Sequence, residues 1–352
     1  MKAALFSPYL NILGGGERYL GTVAEFLLKN GFEVDFFWDD PKILPKLQKR
    51  FGLKITKAKV IGKIFDKKNI VHKWFALHKY DISFFVSDGS IPLPLAKKNY
   101  LHFQVPFVLE NAKNLENRIK LNRYKKIICN SKFTKSYIDA TYGVNSDVVY
   151  PPVDLKNFNP AKKENIILSV GRFFGFLHSK KQEILINTFK KMVDEDFSGW
   201  KFILVGGVDD KKYLKKLQKM SSGYPIEFFP DGTFSEVKKL YAKAKIFWHA
   251  AGFGEDLVSH PQRAEHFGIS VVEAMASGCV PIVYKAGGPL EIIEENKSGL
   301  FWSKLKVLET ETKDLIQDEI KMEKFSKAAI LRSKFFSKEK FNENLGKLFG
   351  FE

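Results

Sequence analysis

Two cysteines in 352 residues, Cys129 and Cys279, are too few for a disulfide framework. Both lie in strand-like apolar runs, IIC and GCVPIV, as small buried hydrophobes of a reducing compartment do. No run of about 18 apolar residues occurs, which excludes a membrane-spanning helix. The opening MKAALFSPYL carries too short an apolar run for a secretory signal and meets a glycine loop at once. A cytoplasmic chain is therefore expected. There is no helix-turn-helix signature, zinc spacing or RNP-like aromatic motif, so nucleic acid is not an expected partner. No Ser/His/Asp or Cys/His constellation marks a nucleophile either.

Acid is scarce as well. Against 57 Lys and Arg stand 40 Asp and Glu, a net charge of +17. More than half of the excess sits between Lys42 and Lys73, where eleven basic residues face one acid, Asp66. The lysines alternate with apolar residues in PKILPKLQKRFGLKITKAKVIGKIFDKK. That stretch reads either as a solubilising face or as a surface for anionic membrane, where each basic residue contributes about 1 kcal/mol. The membrane reading is favoured.

What is present is a regular alternation. Apolar runs at Lys2–Phe6, Glu33–Trp38, Ile82–Val86, Asn99–Phe103, Lys126–Asn130 and Asp147–Tyr150 read as strands, separated by amphipathic helical stretches. The second half repeats the pattern with strands at Ile166–Val170, Lys201–Val205, Ile226–Phe229, Ile246–His249, Val280–Tyr284 and Gly299–Trp302. Helices are expected between them, among them Glu17–Lys29, Gln182–Val193, Lys211–Met220 and Val271–Ser277, with a last helical stretch over Ser326–Phe349. Alternating strand and helix with short links predicts two doubly wound, mostly parallel α/β sheets. The boundary falls in the turn YPPVDLKNFNPAKK, where Pro151, Pro152 and Pro160 exclude a continuing helix.

In such sheets ligands bind beyond the carboxyl ends of the strands, and the informative residues lie there. Leu13–Arg18, LGGGER, follows the first strand but is not the dinucleotide fingerprint, because Tyr19 stands where its last glycine would be. His102 closes a strand in YLHFQVP. Arg172 follows Val170-Gly171, and Lys180 and Lys181 precede a helix, where cations suit a diphosphate. Asp194-Glu-Asp196 ends a helix and reads as a solvated face, not a metal site.

The densest block is RAEHFGISVVEAMASGCVPIVYKAGG, Arg263 to Gly288. It sets Glu265 and Glu273 around a turn at Gly268 and a helix start, with seven residues between them. Amides near Phe267 to Ser270 then point outward with the positive end of the helix dipole, a receptor for phosphate. The flanking carboxylates suit the hydroxyls of a sugar or ribose. Ser270-Val-Val-Glu273 equally matches a capping box that would only close the helix end. Between the strand ending at His249 and Glu265 lies the long segment AAGFGEDLVSHPQRA, residues 250–264, in which Asp256 and His260 are expected to cap the loop.

GGGER, His102, VGRF at Val170–Phe173, KKQEILINTF at Lys180–Phe189, EHFGISVVE and GGPLEII follow one another over nearly the whole chain. In that order they resemble the retaining GT-B glycosyltransferases of glycosyltransferase family 4. The wording EHFGISVVEAM is similar to the eukaryotic and archaeal mannosyltransferases that extend polyprenyl-diphosphate-linked glycans on the cytoplasmic face. The resemblance implies two Rossmann-like domains facing across a cleft. Residues 1–155 would bind acceptor, 156–335 nucleotide sugar, and 336–352 form a helix returning to the N-terminal domain. The site it implies has His102, Arg172, Lys180 and Glu265 as catalytic residues. Gly15, Gly16, Phe267, Gly268, Ile269 and Glu273 would join Arg172 and Lys180 around the donor. Lys180 is preferred to Lys181 because the family's lysine lies nine residues before the helix phenylalanine, here Phe189.

Arg172 and Lys180 would hold the diphosphate, Glu273 the ribose and Glu265 the sugar, with His102 at the sugar's hydroxyls. No metal and no cofactor are implied. GDP-mannose is the favoured donor, with a UDP-hexose the alternative. A glycan or polyprenyl-linked acceptor and an anionic membrane surface, met through Lys42–Lys73 at the cytoplasmic face, complete the expected partners. A GT-B enzyme with a soluble acceptor, a nucleotide-sugar epimerase and a non-catalytic basic module are the competing readings. The long 250–264 segment departs from the family's usual length and would rim the donor pocket.

Overall fold

The computed structural model describes residues 1–62, 70–176 and 179–351. The chain divides into two compact units, Met1–Pro152 with Glu339–Glu352, and Val153–Lys338. Each is built on one parallel sheet, as the alternating pattern predicts.

The first sheet comprises β1 (Lys2–Phe6), β2 (Glu33–Phe37), β3 (Lys59–Ile61), β4 (Ile82–Val86), β5 (Lys98–Phe103), β6 (Lys126–Cys129) and β7 (Asp147–Val148). Their spatial order is β3-β2-β1-β4-β5-β6-β7. Central strands are apolar on both faces, β4 buried at every position, because helices cover the sheet on either side. The second sheet comprises β8 (Glu164–Val170), β9 (Lys201–Gly206), β10 (Ile226–Pro230), β11 (Ala244–His249), β12 (Val280–Tyr284) and β13 (Leu300–Trp302), in the order β10-β9-β8-β11-β12-β13. Strand order reverses between β1 and β4 in one unit and between β8 and β11 in the other. These are the switch points beside which ligands of open α/β sheets bind.

Besides short turns, three elements are outside the expected pattern, one of them the helix Leu305–Gln317. The other two are the three-residue edge strand β3 and a helix over Ile43–Phe51. In that helix and the turn after it, the apolar residues Ile43, Leu44, Leu47, Leu53, Ile55 and Ala58 are buried in the core of the first unit. The interleaving of apolar and basic residues there is core periodicity. Lys42, Lys46, Lys49, Arg50, Lys54, Lys57 and Lys59 are left exposed. Lys63, Lys67 and Lys68 of the basic stretch, with its one acid Asp66, lie outside the described residues.

The C-terminal stretch read as one helix is two, Glu319–Ser333 and Lys338–Phe349, with a 3-10 turn at Lys334–Phe336 between them. The last helix buries Phe341, Leu345 and Phe349 in the first unit's core, Phe341 edge-on to Tyr19 and Phe349 edge-on to Tyr100, both at 4.8 Å between centroids. Among the described residues no helix is long and apolar enough to cross a membrane.

Candidate active site

Most of the singled-out residues gather at the carboxyl ends of β8 and β11, beside the switch point of the second unit. Chain leaving β8 passes Gly171 and Arg172. Gly171 is required by space, since a β-carbon there would stand 2.6 Å from Lys180 Cγ. The lysine stem thus lies along the strand end. Arg172 is exposed, and its guanidinium donates to Asp209 Oδ2 at 2.8 Å. Gln182, first in the helix Gln182–Asp194, donates to Arg172 O at 3.0 Å and ties the two segments together.

Lys180 and Lys181 diverge. Lys180 Nζ meets Glu265 Oε2 at 2.6 Å, and Lys181 Nζ meets Glu255 Oε1 at 2.5 Å. Glu255 also accepts from Arg263 at 2.8 Å. Glu255 lies in the 250–264 segment, so one dipeptide is bonded within that segment and at the residue that follows it. His249, at the end of β11, donates from Nε2 to the same Glu265 oxygen at 3.0 Å. Burial pushes the Glu265 carboxyl up, yet the Lys180 charge and the His249 hydrogen bond overcome this and hold it well below the usual carboxylate range. Sequence reasoning placed Lys180 and Glu265 on different parts of a donor. Here they are paired with each other.

Gly268, with φ of 112°, ends the turn and starts the helix Ile269–Ala276. No side chain caps it, so the Ser270–Glu273 capping box is not realised. The reason is positional: the cap falls on Gly268, two residues before Ser270. Val271 and Val272 amides bond to Gly268 O, while those of Ile269 and Ser270 precede the first intrahelical bonds. Phe267 is buried against Phe336. Glu273 is buried one turn into the helix and accepts from Tyr241 OH at 3.2 Å. Gly288 N donates to Glu265 O at 2.8 Å, tying the GGPLE turn to the EHFG turn.

Within the first unit, Gly15 opens the helix Gly15–Lys29, and Glu17 Oε2 accepts from Gly14 N at 2.8 Å. Gly16 runs against the Gln104 side chain, which brings the glycine loop beside the end of β5. His102, in β5, is 0% exposed and stacks on Tyr19 at 3.9 Å. Neither of its ring nitrogens has a hydrogen-bond partner among the described residues, nor does Tyr19 OH. Burial drives the His102 pKa down to about 3. Buried polar atoms without partners are rare, and they accumulate where function demands them.

Asp256 Oδ1 accepts from the amides of Val258 and Ser259, a loop cap. Asp194 accepts from Tyr224 OH, and Glu195 pairs with Lys313 on the surface. Among the described residues no group of three or more His, Cys, Asp or Glu is placed to hold a metal ion. The residues that sequence reasoning missed are His249, Glu255 and Asp209. For His249 the signal was its place at a strand's carboxyl end, the same rule that singled out His102.

The description "Glycosyl transferases group 1" matches residues 153–332, and "Glycosyltransferase Family 4" matches residues 13–157. The chain is 26% identical over 385 residues to the Xenopus laevis GDP-Man:Man(3)GlcNAc(2)-PP-Dol alpha-1,2-mannosyltransferase, covering 84% of this chain and 76% of that one. It is 22% identical over 370 residues to the alpha-1,3/1,6-mannosyltransferase ALG2 of Rhizomucor pusillus, covering 85% and 80%. Among solved structures, a glycosyltransferase from Rickettsia africae superposes with a TM-score of 0.78 at 18% identity, over 99% of this chain and 97% of that one. The Anabaena protein HepE in complex with UDP and glucose gives 0.72 at 17%, over the whole of both chains. These likenesses show the GT-B fold, built from two Rossmann-like domains.

Proposed function

Because the chain belongs to the glycosyl transferases group 1 family, we propose that it moves mannose from GDP-mannose to a polyprenyl-diphosphate-linked glycan. The second unit takes the nucleotide sugar and the first takes the acceptor. One observation carries the reading: Lys180, Glu265 and the uncapped start of the Ile269–Ala276 helix converge beside the switch point of the second sheet. The names of the relatives, mannosyltransferases that use GDP-Man and act on glycan-PP-Dol, support donor and acceptor.

Breaking the glycosyl–phosphate bond leaves negative charge on the departing diphosphate and positive charge on the sugar. Arg172, Lys180 and the amides around Phe267–Ile269 answer the first without a metal ion; fixed donors of this kind contribute a few kcal/mol each. Glu265 meets the sugar and Glu273 the ribose hydroxyls. His102, buried in the first unit and neutral with its pKa near 3, is a poor proton acceptor. Gly15 and Gly16 let the first loop approach the ligand closely. The acceptor oxygen attacks on the face the nucleotide leaves and passes its proton to the departing diphosphate oxygen, so the anomeric configuration is retained and no enzyme nucleophile is needed.

The test is transfer from GDP-mannose to a polyprenyl-diphosphate glycan in excess EDTA, with the product linkage read by NMR. An α-linked mannose is expected, and GDP is expected to raise the melting temperature more than UDP does. Activity that vanishes with EDTA and returns with a divalent ion, a β-linkage, or a larger shift with UDP would each remove its own part of the reading.

The exposed bases from Lys42 to Lys59 face an anionic membrane surface at the cytoplasmic side. Replacing Lys49, Arg50, Lys54 and Lys57 by glutamine is expected to weaken binding to phosphatidylserine vesicles by about tenfold or more. The melting shift given by GDP should not change. Equal vesicle affinity in sedimentation would end the membrane argument.

A further inference from the structure

We infer that His249 is a positioning residue for Glu265, holding its carboxylate in place when Lys180 turns to the donor's diphosphate. This rests on the reading above, in which Lys180 meets diphosphate and Glu265 meets sugar.

Lys180 and His249 share one oxygen, Glu265 Oε2, at 2.6 and 3.0 Å. Oε1 takes no hydrogen bond among the described residues and is the atom left for a hydroxyl. The two donors differ in stiffness. Lys180 carries its ammonium on a flexible four-carbon stem and can rotate towards a diphosphate, which offers it more negative charge than one carboxylate. His249 cannot follow. It is 3% exposed, its chain pairs with β12 as His249 opposite Val283, and Trp302 Nε1 donates to its carbonyl at 3.3 Å. The preceding Trp248 is pinned through Nε1 to Thr312 Oγ1 at 3.1 Å.

A carboxylate that lost its only partner inside this half-buried site would swing away or take up a proton. With the imidazole still donating, Glu265 keeps both its place and its charge. Packing alone gives no reason for a histidine here, because its Nδ1 is buried with no hydrogen-bond partner among the described residues. An apolar ring of the same size would fill the volume without that cost.

Two substitutions separate the hydrogen bond from the volume. His249→Phe keeps the ring and removes the donor, while His249→Gln keeps an amide nitrogen near the Nε2 position. In the full chain, His249→Phe is expected to leave the melting shift given by GDP unchanged. It should abolish the extra shift that GDP-mannose gives over GDP, and lower kcat by about tenfold or more. His249→Gln should recover most of both. In an E265A background, adding His249→Phe should cost nothing further, because coupled residues are not additive.

The inference is overturned if His249→Phe keeps the GDP-mannose increment and its kcat, or if its effect adds in full to that of E265A. It is equally overturned if His249→Gln is as impaired as His249→Phe. Should the phenylalanine variant fail to fold, His249→Asn, whose shorter amide cannot reach Glu265, replaces it, and equal activity in the Gln and Asn variants overturns the inference. If E265A itself keeps the parent's kcat and GDP-mannose increment, the site reading falls and takes this inference with it. If E265A loses both while His249→Phe loses neither, the inference alone falls.

Discussion

Lys180→Ala is expected to lower kcat/KM for sugar transfer by about 10²- to 10³-fold while the chain stays folded. The magnitude is that of removing one preorganised charge from the point where a leaving group becomes negative. Among the described residues the two neighbouring cations are already engaged. Lys181 is engaged by Glu255, and Arg172 is an exposed side chain already paired with Asp209. Single-turnover transfer from GDP-mannose measures the effect, and a rate within a few-fold of the parent would remove Lys180 from the mechanism.

The same substitution carries a stability signature that does not depend on the reaction. Glu265 is held well below the usual carboxylate range because Lys180 and His249 outweigh the cost of burying it. A depressed carboxyl pKa stabilises the folded chain above the unfolded-state pKa, and that contribution disappears as pH falls through the folded-state value. Removing Lys180 relaxes the depression. The melting temperature of the variant should therefore sit below the parent's at all pH values above about 5, with the gap narrowing as pH drops through the carboxylate range. A gap that is constant down to acid, or that widens, would mean the Lys180–Glu265 pair is not what holds the carboxyl down.

The sequence marked Lys180 and Glu265 separately, and the structure pairs them. Strands such as β4 and β12 are legible because both faces are buried and apolar residues dominate, Ser83 being the one polar member of β4. The EHFG turn is legible because a glycine with a left-handed backbone must sit between strand and helix, and Gly268 does so at φ of 112°. Local chemistry misleads where two local solutions compete. Ser270 and Glu273 have the spacing of a capping box, but the cap belongs to Gly268, so the serine lies one position inside the helix and its hydroxyl caps nothing. The lysine-rich stretch hid the Ile43–Phe51 helix and β3, since charge masked a short apolar periodicity that turned out to be core. His249 stood at a strand's carboxyl end, but its pairing was not legible. Its partner Glu265 lies beyond the 250–264 segment in the connection from β11 to the Ile269–Ala276 helix, and only the path of that segment returns the carboxylate to the strand end.

Gly288→Ala is expected to be as damaging as the loss of a charged site residue, through sterics alone. Its backbone is ordinary, with φ of −60° and ψ of −30°, so glycine is not needed for conformation. It is needed for space. A β-carbon there would lie inside contact distance of His266 O and Phe267 Cα, and 2.6 Å from His266 C. All three are atoms of the main chain and of the same turn, so no side chain can step aside. The turn that carries Glu265 would have to separate from the Gly288–Ile292 turn, breaking the Gly288 N to Glu265 O bond of 2.8 Å. Overpacking of this kind costs about 1–3 kcal/mol, and moving a ligand-contacting side chain by about 1 Å costs about 10² in rate. Gly346 supplies the control. It lies within the last helix with nothing near its missing β-carbon, so Gly346→Ala should stabilise by about 0.5–1 kcal/mol and leave transfer unaffected. Melting temperature and transfer rate are measured together on both variants. If Gly288→Ala melts with the parent and transfers sugar at the parent's rate, the close apposition of the EHFG and GGPLE turns is not what sets Glu265 in place.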